Sequence, residues 1–139
     1  MLLRVLSMIA INFPRLAPDS DTSASSGHGS APVFDRAAAL LGYGGDVALL
    51  SELVKIFDSN LGSRIDDLLS AIARNDLPNV MSLAHSLKGS SAFVYAMRLS
   101  ALCIEIEKAA RSCSSEDVAA LGARLPEEAK AFRKAIAGR

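Results

Sequence analysis

From Asp46 to Arg74 the apolar positions return every three or four residues, the spacing that aligns side chains along one face of an α-helix. Leu49, Leu50, Leu53, Val54 and Phe57 share one side, with Glu52, Lys55 and Ser59 on much of the other. Asn60-Leu61-Gly62-Ser63 is expected to interrupt or bend this helix before Ile65, Leu68, Leu69 and Ile72 resume the stripe. Asp46 stands where a helix N-cap belongs, and Asp35 does the same for a short helix reaching Leu41, which stops at Gly42-Tyr43-Gly44-Gly45. Asn75-Asp76-Leu77-Pro78 closes the long pattern and opens the next, since proline is tolerated in a first helical turn. There Val80, Leu83, Leu87, Ser91 and Val94 form the inward stripe of a helix from about Leu77 to Tyr95. Leu99, Leu102, Cys103 and Ile106 follow almost at once, so these two helices are expected to make an antiparallel hairpin. Ser114 or Ser115 caps a last pattern reaching Ala137, with Glu116 and Asp117 in its first turn and a break or kink near Leu125 imposed by Pro126. The predicted fold is all-α: an antiparallel four-helix bundle with additional short helices.

Upstream the pattern changes. Met1 to Phe13 is apolar apart from Arg4 and Asn12 but falls short of the roughly 20 residues that span a bilayer. No small-residue cleavage pattern follows it, so it is read as the end of a preceding segment. From Pro14 to Pro32 serine, glycine, aspartate and proline dominate, a composition that cannot bury enough surface to order itself. This gives two regions: residues 1–32, a flexible N-terminal segment and linker that includes His28 as a solvated spacer, and residues 33–139, the helical bundle. As a coil the linker has a typical end-to-end distance of roughly 25 Å, enough to tether a partner domain.

Composition narrows the function. Fifteen basic residues balance fifteen acidic ones among 139, so no global field recruits nucleic acid or an anionic membrane, and proteins are the expected partners. Tryptophan is absent, and alanine and leucine favour helix over strand. Cys103 and Cys113 have neither a metal-ligand spacing nor a secreted disulfide framework, fitting a small core residue and a helix-end residue in a reducing cytoplasm. A Gly-rich nucleotide loop, a metal-ligand cluster and a Ser-His-Asp arrangement are all missing from the sequence.

The candidate chemistry lies in Ala84-His85-Ser86-Leu87-Lys88-Gly89-Ser90-Ser91. At about 100° per residue, His85 falls opposite the inward stripe, flanked one turn on by Lys88 and Gly89. Met81, Ala84, Ala92 and Ala96 are expected around it as an apolar patch that docks a protein transiently. Ser86 is read as pointing sideways at solvent or the rim of the partner, and Ser90 and Ser91 as packing residues. Glu105, Glu107, Lys108 and Arg111 are taken as a solvated charged face of the following helix. Imidazole is uncharged in a sizeable share of molecules near neutral pH and can attack phosphorus without a base. Phosphoryl transfer depends mainly on positioning and charge neutralisation. Lys88 is within reach of phosphoryl oxygens on His85, and Gly89 leaves room for that group.

His-Ser-Leu-Lys-Gly-Ser-Ser on a helix resembles the histidine-containing phosphotransfer (HPt) domain of phosphorelays. The resemblance covers roughly Val33 to Ile136, including Val33-Phe34-Asp35, the Gly44-Gly45-Asp46 turn, Leu50-Ser51-Glu52-Leu53-Val54 and Leu99 to Arg111. It implies that His85 accepts a phosphoryl group from a receiver-domain phosphoaspartate and passes it to another receiver, assisted by Lys88 and Gly89. Receiver domains and a sensor histidine kinase are the implied partners. No cofactor belongs to the chain itself; magnesium would be bound by the receiver. The expected setting is the HPt module of a hybrid sensor kinase, cytoplasmic even where the whole kinase is membrane-bound. A non-phosphorylated helical adaptor and the phosphoacceptor domain of a chemotaxis-type kinase are the alternatives. Many family members carry glycine ten residues after the histidine, where this chain has Tyr95. Because tyrosine disfavours positive φ, the helix is expected to run past Tyr95 or to turn without a left-handed residue there.

Overall fold

The structure is a computed structural model that describes residues 31–138; Met1–Phe13 and the linker as far as Ser30, His28 included, lie outside the described residues. Pro32–Arg139 forms one compact unit. Its helices are α1 (Arg36–Gly42), α2 (Val47–Ala73), α3 (Leu77–Phe93), α4 (Met97–Arg111), α5 (Ser115–Gly122) and α6 (Leu125–Ala137), with no strand among the described residues. α3 packs most extensively against α4, and α2 packs against α3, α5 and α6. With α5 and α6 serving together as the fourth member, the arrangement is an all-α helical bundle.

Local chemistry starts the helices where the sequence places them. The Asp35 carboxylate accepts from Ala38 N (3.1 Å), that of Asp46 from Leu49 N (3.0 Å) and that of Asp76 from Asn79 N (3.4 Å). Each satisfies a first-turn N–H that has no intrahelical partner. Pro78 and Pro126 both sit in first turns, so Pro126 divides the C-terminal pattern into α5 and α6.

Two expectations are corrected. Asn60-Leu61-Gly62-Ser63 neither ends nor interrupts a helix: α2 is continuous for 27 residues. Leu61 is fully buried there in line with Phe57, Ile65 and Leu68, so packing of one uninterrupted face outweighs the weak helix propensity of Gly62. Tyr95 does take the left-handed conformation, with φ +63°, and α3 ends before it at Phe93.

The reason is a corner that recurs three times. Asn75, Tyr95 and Cys113 have φ of +55°, +63° and +58°, and in each case the following N–H donates to a carbonyl five residues back. Those bonds are Asp76 N to Ala71 O (3.0 Å), Ala96 N to Ser91 O (2.8 Å) and Ser114 N to Ala109 O (2.9 Å), the Schellman closure of a helix end. Tyr95 meets the cost because the residue is only 8% exposed and its ring stands edge-on to Tyr43 at 6.2 Å and lies against Gly42, while its carbonyl accepts from Asp35 N at 3.0 Å.

The core runs along α2 from Leu53 to Ala71 and meets Val80 and Leu87 of α3, Leu102 and Ile106 of α4, and Phe132 of α6. Phe132 joins the layers through edge-on contacts with Phe57 (5.3 Å) and Phe34 (5.8 Å). Cys103 is fully buried beneath the α3–α4 face, and burial pushes its thiol up to about 12. Leu49, expected on the apolar side of α2, is 36% exposed near that helix's start.

Candidate functional site

The part of α3 left open between its neighbours is narrow. Ser82, His85, Ser86 and Gly89 are its exposed residues over those turns, spaced as one helical edge. Val80, Ala84, Leu87 and Ser91 are covered by the bundle.

His85 stands on this edge with 63% of its side chain exposed. Its Nδ1 lies 3.1 Å and 3.3 Å from the two carboxylate oxygens of Glu107, which projects from α4. Lys88 Nζ lies 3.2 Å from the same nitrogen and 3.6 Å from Glu107 Oε1. One ring nitrogen cannot both donate to the carboxylate and accept from the ammonium. An ionised carboxylate is an acceptor only, whereas the ammonium is also served by Glu107 Oε1. The Nδ1 proton is therefore assigned to the bond with Glu107, and in the neutral ring Nε2 keeps the lone pair.

Glu107 is the hub. Its side chain is only 12% exposed, and besides His85 and Lys88 it accepts from Arg111 Nη2 at 2.9 Å, one turn along α4. Burial works against its charge, but Lys88, the His85 hydrogen bond and charge, and the Arg111 hydrogen bond outweigh it and hold its pKa below the ordinary carboxylate range.

Gly89 lies in the interior of α3, and a Cβ placed there would meet nothing within 4 Å. The surface beside His85 is open at that point. Ser100 Oγ on α4 donates to the Lys88 carbonyl at 3.2 Å, tying the two helices under the site. On the other flank Arg64 of α2 donates through Nη1 to Ser90 Oγ at 2.8 Å and through Nη2 to Ser86 Oγ.

The structure thus brings His85, Lys88 and Gly89 together. It corrects the apolar patch: Ala84 and Ala96 are both fully buried, while Met81 and Ala92 are partly exposed. Ala84 is lost because α3 packs against both α2 and α4, and two neighbours cover a wider arc than one amphipathic stripe. Ala96 is lost because it is no longer on α3: it caps α4, with its N–H turned back to Ser91. Glu107, read from the sequence as part of a solvated face but largely buried among His85, Lys88 and Arg111, and Arg64, assigned no role from the sequence, are the additions. For Glu107 a signal existed. It continues the row Ser100, Cys103, Ala110 on the packing side of α4, where a carboxylate needs partners.

A comparison with protein-family models matches the Hpt domain over residues 52–135, which holds α3, α4, α5 and most of α2 and α6. The chain belongs to the Hpt domain family. Hpt domains carry out histidine phosphotransfer in phosphorelays and interact with receiver domains and histidine kinases. Neither a comparison with curated proteins nor one with solved structures gave a match. Among the described residues of this Hpt domain no single helix is long and apolar enough to cross a membrane.

Proposed function

We propose that His85 is the phosphoryl carrier of this Hpt domain, taking the group from a receiver phosphoaspartate and delivering it to another receiver. The observation that carries this reading is the exposed imidazole whose Nδ1 is engaged by Glu107, leaving Nε2 without a hydrogen bond among the described residues. In the forward step Nε2 attacks phosphorus, the N–P bond forms, the acyl O–P bond breaks, and the receiver's aspartate leaves as a carboxylate. No proton has to be removed from Nε2. The ring becomes cationic as the bond forms, and the Glu107 carboxylate offsets that charge. Lys88 adds positive charge for the phosphoryl oxygens, and the space over Gly89 admits the group and its donor. Magnesium, in this reading, is held by the receiver.

The Ser/Gly-rich stretch from Pro14 to Pro32 has the composition of a tether, which supports reading the domain as the HPt module of a hybrid sensor kinase, in its cytoplasmic part. The test is incubation with phosphorylated receivers. A single acid-labile, alkali-stable label is expected on His85, lost in His85→Gln with an unchanged circular dichroism spectrum. Labelling that persists in His85→Gln sinks the assignment.

A further inference from the structure

The two flanks of the His85 edge differ in how their cations are used. On the α4 flank Lys88 and Arg111 both face Glu107. On the α2 flank Arg64 is held by two hydroxyls, Ser86 and Ser90, and forms no ion pair among the described residues, whereas Arg111 on the opposite flank meets a carboxylate. Asp67, one turn along α2, is exposed and does not pair with it. Hydroxyls orient a guanidinium without neutralising it, so the half-buried Arg64 keeps its net charge and unused N–H donors.

Helical register sets what lies between Arg64 and His85. Counting about 100° per residue from His85, Gly89 stands about 40° and Ser86 about 100° round α3 on the Arg64 side, and Lys88 about 60° round on the other. A body seated over the open surface at Gly89 therefore reaches Arg64 at its edge. Ser86 and Ser90 fix the guanidinium at that flank, away from the Lys88 side where phosphoryl charge is met. A planar guanidinium fixed in this way suits a carboxylate, which it can engage through two parallel hydrogen bonds.

Building on the reading of His85 as the site over which a receiver docks, we propose that Arg64 is a specificity-determining residue for that docking and pairs with a carboxylate on the receiver's rim. It takes no part in bond making at phosphorus.

The experiment uses the full chain and two phosphodonors: a receiver that supports transfer to the unsubstituted protein, and phosphoramidate, a small donor with no docking surface. Arg64→Ala is expected to raise the half-saturating receiver concentration about tenfold, Arg64→Glu to raise it further, and Arg64→Lys to recover part of the loss. Labelling by phosphoramidate should be unchanged in all three. The rate with the receiver should fall with added salt more steeply in the unsubstituted protein than in Arg64→Ala. Equal slowing with both donors would place Arg64 at the phosphoryl group or in the fold and overturn the proposal. Unchanged receiver kinetics in Arg64→Glu would also overturn it. A label that lies on a residue other than His85 in the unsubstituted protein would instead sink the carrier reading, and this one with it.

Discussion

At Gly89 the chain gives up helix stability beside the exposed imidazole of His85. A glycine inside a helix costs about 1 kcal/mol relative to alanine, and here a methyl group would enter open space. Gly89→Ala is therefore expected to stabilise the domain by up to about 1 kcal/mol, read as a higher melting midpoint. Gly89→Gln fills the space beside His85 and is expected to slow transfer from a phosphorylated receiver while leaving the fold intact. A lower midpoint in Gly89→Ala would show that the position is constrained by packing; unaltered transfer in Gly89→Gln would show that the space is not used.

At the level of the helices, the three left-handed corners decide how α2, α3, α4 and α5 follow one another, and none of them uses glycine. Left-handed backbone costs an L-residue roughly 1–2 kcal/mol, so each corner depends on what the residue gains elsewhere. Tyr95 gains by burying its ring against Gly42, at a point where a Cβ on Gly42 would collide with the phenol. Gly42→Ala is expected to destabilise the domain by about 1–3 kcal/mol, and most of that cost should vanish when Tyr95 is already glycine. A double-mutant cycle of Gly42→Ala and Tyr95→Gly in urea measures this coupling. Additive effects would show that the ring can move aside and that the contact does not hold the corner.

On the scale of the whole bundle, the charges that join α3 to α4 make stability depend on pH. The pKa of Glu107 is held below its ordinary 4.5 in the folded protein. A group with a depressed folded pKa adds stability that is fully present above its unfolded value and disappears as pH falls through the folded one. The unsubstituted domain is therefore expected to be more stable than Glu107→Gln at neutral pH, with the difference shrinking once the pH drops below about 4.5. Urea unfolding at neutral pH and at successive acid values checks this. A difference independent of pH would mean that Glu107 acts through its shape alone.

Much of the bundle was legible because its determinants are local. Asp35, Asp46 and Asp76 cap helices through N–H groups three residues away, Pro78 and Pro126 act on their own turns, and the inward stripes of α2 and α3 follow from the helical period. The same periodicity put His85, Lys88 and Gly89 on one side of α3. What the period could not supply was the set of neighbours. Whether Ala84 is exposed depends on two helices closing over it, and whether Tyr95 accepts a left-handed turn depends on Tyr43 and Gly42, some 50 positions earlier in the chain. Glu107 reaches His85 across 22 residues and Arg64 reaches Ser86 across the same separation in the other direction. The sequence by itself determined the capped starts of α1, α2 and α3, the inward stripes and the exposed histidine, because capping and periodicity act within a turn or two. Only the tertiary structure decided which nitrogen of His85 is engaged and which charges flank it, because those depend on side chains that meet only after α2, α3 and α4 have packed.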